Sequence, residues 1–134
     1  MLTLRINFKA QVTEEFIYLL GVFCFFLLAF IIAYNWRNSQ IQEQTLILEL
    51  ERVGDETANQ VNLAYLSGSG FSKEYFLPER ITGFLYNVTI YGNFIILNTT
   101  KSSYSTSLVT SSIEGNFTTG KNLIKNIDGR VKIN

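Results

Sequence analysis

A stretch without a single charged residue, residues 16–34, constrains this chain more than any other feature. About 19 residues at ~1.5 Å rise each span roughly 28 Å, close to the ~30 Å hydrocarbon core of a bilayer. A helix is the natural form there, because it satisfies its own backbone hydrogen bonds. Arg5 and Lys9 precede the stretch, and a short polar junction at residues 11–15 carries carboxylates at Glu14 and Glu15. Arg37 follows closely. The slight positive excess on the N-terminal side predicts an N-in orientation, with the C-terminal part outside. Tyr34 and Trp36 fit the aromatic belt of the outer interface.

An ordinary secretory signal is cut after its apolar stretch, beside small residues. Asn35, Trp36 and Arg37 offer no such site. The small residue stands before the stretch instead, at Ala10, directly after Lys9. A cut between Ala10 and Gln11 removes a charged leader, residues 1–10, and keeps the apolar helix as the new N-terminus.

The junction KAQVTEEF resembles the class III (type IV prepilin-like) signal of archaeal pilins. That pattern is a basic residue, a small residue, then Gln-x-Ser-x-Glu ahead of an apolar helix. Lys9, Ala10, Gln11, Thr13 and Glu15 fall on these positions, with Thr13 in place of the usual serine. Both residues offer one hydroxyl donor and acceptor, so the departure is mild. The resemblance implies a prepilin peptidase that cuts before Gln11. It also implies a mature chain that joins a pilus filament, with related pilins and an assembly machinery, through a bundle of apolar helices. Glu15 is then expected to act in processing and in assembly, where it pairs with the free amine of a neighbouring Gln11. An isolated carboxylate in an apolar bundle costs several kcal/mol, roughly, so a partner is required. If Gln11 cyclises to pyroglutamate, Thr13 or a backbone N–H must serve instead. The bland alternative is that Glu14 and Glu15 complement the helix dipole from the first turn, worth ~0.3–1 kcal/mol each. Gly21 reads as a point of close helix–helix approach.

Beyond the span, residues 35–66 become polar but remain rich in Gln, Glu, Leu and Ala, with no proline. Leu46, Leu50, Val53, Val61 and Ala64 recur at spacings of three and four, with Thr57 and Ala58 between, which predicts an amphipathic continuation of the helix. Ile41 and Leu48 read as a second line widening that stripe. The reading is one helix from about Val12 to Leu66, residues 11–34 apolar all round and 35–66 amphipathic. Gly54 inside it is either a tolerated surface glycine or a close-packing point under the outer domain. Glu49 and Arg52, at i and i+3, read as a surface ion pair. Ser67-Gly68-Ser69-Gly70 stops the helix, and residues 67–79 read as a connector.

Period-two alternation then takes over in residues 80–134. Tyr86, Val88 and Ile90 alternate with Asn87, Thr89 and Tyr91, and Gly92-Asn93 reads as a hairpin turn. Residues 103–113 read as a third strand, and 115–120 as a loop. Residues 123–127 and 130–133 flank Asp128-Gly129, a type I′ hairpin signal. Tyr86, Tyr91 and Phe94 read as strand packing. About five antiparallel strands are predicted, covered by the amphipathic part of the helix. The fold class is therefore α+β, a long N-terminal helix packed by a small antiparallel β domain. The LPER segment, the tyrosine-rich strand, the Gly-Asn hairpin and the closing GRVKIN strand also resemble, more loosely, the outer domains of archaeal pilins.

The formal net charge is zero and no basic block occurs, so nucleic acid has no electrostatic footprint here. Histidine is absent, which removes the commonest general base and metal ligand. The one cysteine, Cys24, lies in the apolar stretch and reads as a small packing residue. No phosphate-cradling glycine loop is present. These features predict no enzyme, no metal and no cofactor. Asn-x-Ser/Thr sequons at Asn87, Asn98 and Asn116 are candidate N-glycosylation sites of an exported domain. Two function classes follow. One is a pilin, major or minor, of an adhesive cell-surface filament, resident in the membrane before assembly. The other is a single-span anchored binding or sensor protein that does not polymerise.

Overall fold

The computed structural model describes residues 12–134, and of residues 2–11 only their place in a helix. The chain divides into two compact units, Met1–Ile41 and Gln42–Asn134. Helix α1 (Leu2–Leu66) is followed by β1 (Ser72–Leu77), β2 (Tyr86–Tyr91), β3 (Phe94–Thr99), β4 (Ser103–Ser107), β5 (Ile113–Glu114), β6 (Gly120–Ile127) and β7 (Arg130–Ile133). The architecture is α+β, as expected.

In the first unit the described side chains of α1 are exposed throughout. In the second unit α1 buries one face. Leu46, Leu50, Val53, Thr57, Ala58, Val61 and Ala64 are all buried, the i, i+3, i+4, i+7 recurrence of a helix against a core. Leu48 does not widen this face, and Ile41 too is exposed. At about 100° per residue, Leu48 lies roughly 200° around the helix from Leu46, on the far side. The helix stops where the glycines allow. Ser67 N–H still bonds Leu63 O at 2.9 Å, and Gly68 then adopts a φ of 82°, the left-handed cap conformation.

The strands form two sheets. One has the order β1-β6-β7-β5 and the other β2-β3-β4. Alternation places Tyr75 and Leu77 (β1), Ile124 and Asn126 (β6), and Val131 and Ile133 (β7) on the buried face of the first. Tyr86 and Val88 (β2) and Ile95 and Leu97 (β3) line the second. Tyr75 and Phe117 meet edge to face, with ring centroids 6.3 Å apart.

The β2–β3 hairpin and the β6–β7 hairpin stand where their turns predict. Asp128 and Gly129 have φ of 52° and 81°, the pair of positive values that a type I′ turn demands. Elsewhere the strand reading needs correction. Residues 72–77, read as connector, form β1, paired along its whole length with β6. The buried Tyr75 and Leu77 carry the alternation, too short to stand out beside the exposed Phe76. The stretch 103–113 is not one strand. It breaks after Ser107, and β5 then pairs with β7 in parallel. A pair of two residues is too short for any periodicity to reveal. β6 begins at Gly120 rather than 123, because Gly120, Lys121 and Asn122 pair with Leu77, Phe76 and Tyr75 of β1.

Candidate functional site

The most unusual surface is the apolar part of α1. Phe16, Phe23, Phe25, Phe26 and Phe30 are each at least 60% exposed. Burying a large apolar side chain is worth about 1.5–3 kcal/mol. Across these five alone, exposure to water forfeits about 8–15 kcal/mol, which favours lipid or other helices around the segment. One helix near the N-terminus is thus long and apolar enough to cross a membrane. Tyr34 and Trp36, expected at the outer interface, are both exposed.

The junction residues divide into two groups. Lys9, Ala10 and Gln11 lie outside the described residues. Thr13, Glu14 and Glu15 are exposed on the helix surface. They do not stand at the first turn, because α1 begins at Leu2. In the uncut chain the dipole at the helix start therefore lies more than two turns from Glu15. A cut before Gln11 would bring both carboxylates to the new N-terminus. Gly21 has open space around its Cα within this chain, and Cys24 is exposed.

Within the second unit, the strands are fastened to the C-terminal part of α1 by polar contacts that the sequence pattern conceals. Asn126, 2% exposed, donates from Nδ2 to Ala64 O at 2.9 Å and Tyr65 O at 3.2 Å. A strand side chain thereby satisfies helix C-terminal carbonyls that have no partner within the helix. Its Oδ1 accepts from Gly129 N–H at 3.0 Å, tying the same residue to the hairpin turn. Asn122 braces the loop before β6, donating to Thr118 O at 2.7 Å and Gly120 O at 3.0 Å. Thr57 donates to Val53 O at 2.6 Å and meets the Tyr75 hydroxyl at 3.2 Å.

Gly54 is buried, not a surface glycine. A Cβ there would stand 2.7 Å from Tyr104 Cδ1 and 2.9 Å from Cε1. The Tyr104 ring lies over the helix at this point, and its hydroxyl donates to Asp55 Oδ1 at 2.8 Å. That bond to a carboxylate, more than burial, raises the Tyr104 pKa. Burial raises that of Tyr75. Burial also pushes Tyr86 up to about 12, with Tyr75 adding to it; the Tyr86 hydroxyl donates to Pro78 O at 2.6 Å.

On the outer face of β2-β3-β4, Asn87 and Asn98 are exposed and directly opposite each other. Asn116 is exposed in the loop between β5 and β6. Tyr91 and Phe94, read as strand packing, are 77% and 45% exposed and pair across the hairpin. Parity decides this: with Tyr86 and Val88 inward, Tyr91 must point outward. Glu49 and Arg52 form the expected ion pair at 3.0 Å, and Glu56 joins at 3.4 Å. Among the described residues, no cluster of Cys, Asp and Glu has the arrangement to hold a metal. Comparison with protein families, curated proteins and solved structures returns no match.

Proposed function

We propose that this chain is a structural subunit, major or minor, of an archaeal type IV pilus-like surface filament. A prepilin peptidase removes residues 1–10, recognising Lys9, Ala10, Gln11, Thr13 and Glu15. The precursor sits in the membrane N-in, with its β domain outside. On assembly the apolar helix leaves lipid and packs beside copies of itself and of related pilins, with Gly21 and Glu15 at helix contacts. The β domain then faces the medium, where it serves surface adhesion and carries glycans on its sequons. The chain is a peptidase's substrate and catalyses nothing itself.

The observation that carries this reading is the juxtaposition of Lys9-Ala10-Gln11 in the sequence with an apolar helical stretch whose described side chains, residues 12–41, are all exposed. A single-span anchored binding protein is the second reading, favoured by the exposed Tyr91–Phe94 pair. Shearing separates the two. Leaderless chain recovered in sheared, sedimentable filaments supports the pilin. Chain found wholly as a detergent-soluble monomer refutes it.

A further inference from the structure

The charges of the second unit are segregated. The outward side of α1 carries the exposed Glu51 and Glu56 and the half-buried Glu49 and Asp55 against a single guanidinium, Arg52. Arg52 is engaged by Glu49 and Glu56, and Asp55 accepts from Tyr104. Glu51 is exposed and has no basic partner among the described residues.

The outer face of β1-β6-β7-β5 is the reverse. Lys121, Lys125, Arg130 and Lys132 project there. Glu74 engages Lys121 at 2.7 Å and Glu114 engages Arg130 at 3.1 Å. Lys125 and Lys132 have no acidic partner among the described residues, yet they sit directly opposite each other across β6 and β7. Like charges at such a position repel and destabilise the pair. Shallow grooves of about 260 and 470 Å³ flank Lys132; the smaller is lined by both Lys125 and Lys132 with no acidic residue, and the larger also by Glu114 and Asp128.

These two surfaces face opposite ways. The buried side of the same sheet meets α1 through Thr57–Tyr75 and Asn126–Ala64, so its cationic side points away from the helix. A unit that is acidic on one side and basic on the other is complementary to another copy of itself, head to tail. Such a heterologous contact does not close on itself and propagates into an open assembly.

We infer that Lys125 and Lys132 of one copy receive the acidic α1 face around Glu51 of the next. The inference rests on the filament reading and adds a contact outside the apolar bundle. Opposite potentials of this kind select register and orientation.

The test uses full-length chain in its native cells, with filaments sheared and sedimented. Lys125→Glu with Lys132→Glu should lower the sedimented fraction by at least about fivefold. Adding Glu51→Lys and Glu56→Lys to the same chain should restore it. Wild-type filaments should fragment more readily under shear in 1 M salt than in 0.1 M, because screening shortens from about 10 to about 3 Å. All exchanged residues are exposed, and unchanged circular dichroism of each variant confirms intact folding. A double lysine variant that assembles like wild type overturns the contact and leaves the filament reading intact. So does a loss that the acidic-face exchange fails to rescue. Wild-type chain that yields no sedimentable polymer overturns both.

Discussion

Asn126 is the residue whose removal should be felt most beyond its size. Its Nδ2 is the partner of Ala64 O and shares Tyr65 O with Gly68 N–H, while its Oδ1 holds Gly129 N–H. Asn126→Ala strands Ala64 O in the interior, at a cost of ~1–3 kcal/mol for one unsatisfied buried group. Tyr65 O keeps its Gly68 bond, and Gly129 N–H, at the surface, turns to water for a loss of ~0.5–1 kcal/mol. The total comes to roughly 1.5–4 kcal/mol.

Asn126→Asp separates hydrogen bonding from volume. It keeps the acceptor for Gly129 but aims a carboxylate at two carbonyls, so at pH 7 it should destabilise more than alanine does. The carboxyl pKa is then higher folded than unfolded. Stability of this variant is fullest below the ordinary carboxylate range and falls as pH rises through the folded value. Urea unfolding of the full chain in detergent, at pH 7 and pH 4, reads both effects. An alanine variant within about 1 kcal/mol of wild type, or an aspartate variant no worse than alanine at pH 7, would refute the role of this side chain as the clasp between β6 and α1.

Other substitutions probe other joints. Gly54→Ala gains about 1 kcal/mol of helix propensity but drives its Cβ into the Tyr104 ring. Thermal unfolding should show a net loss of up to roughly 2 kcal/mol, and Tyr104→Ala in the same chain should abolish the clash. Raising the pH from 10 to 12 should weaken the fold. Tyr86 keeps its proton up to about 12 when folded and to about 10 when unfolded, so its contribution is complete below 10 and is lost through 12. The loss is on the order of 2 kcal/mol, and Tyr86→Phe should flatten that part of a denaturation profile. Exchange of Ala10 for a bulky residue should block leader removal, seen as unprocessed chain on a gel. Glu15→Ala should impair assembly and yield few filaments; normal processing and polymer from both variants would refute these assignments.

The features that depend on repetition were legible before the fold was known. A charge-free run of bilayer length, Leu46, Leu50, Val53, Val61 and Ala64 at helical spacing, and Asp-Gly between alternating segments each repeat a simple rule. What escaped depends on long-range partners. β1 exists because β6 lies beside it, and β5 because β7 does. Asn122 and Asn126 look like loop residues by type; the distant Ala64 carbonyl explains why Asn126 is buried, and the Thr118 carbonyl of the preceding loop why Asn122 is. Gly54 offered two readings, and Tyr104, far along the chain, decides between them. In the candidate site, the apolar helix was plain in the sequence. The outward Tyr91 and Phe94 followed from strand parity, which Tyr86 and Val88 already set but which aromatic composition obscured.

The claim on which all of this stands is that the greasy segment survives maturation. Intact and N-terminal peptide mass measurement of the chain from its native cell surface tests it directly. The account predicts a form that starts at Gln11, free or cyclised. A form that starts beyond Tyr34, or one that still carries Met1, would contradict it.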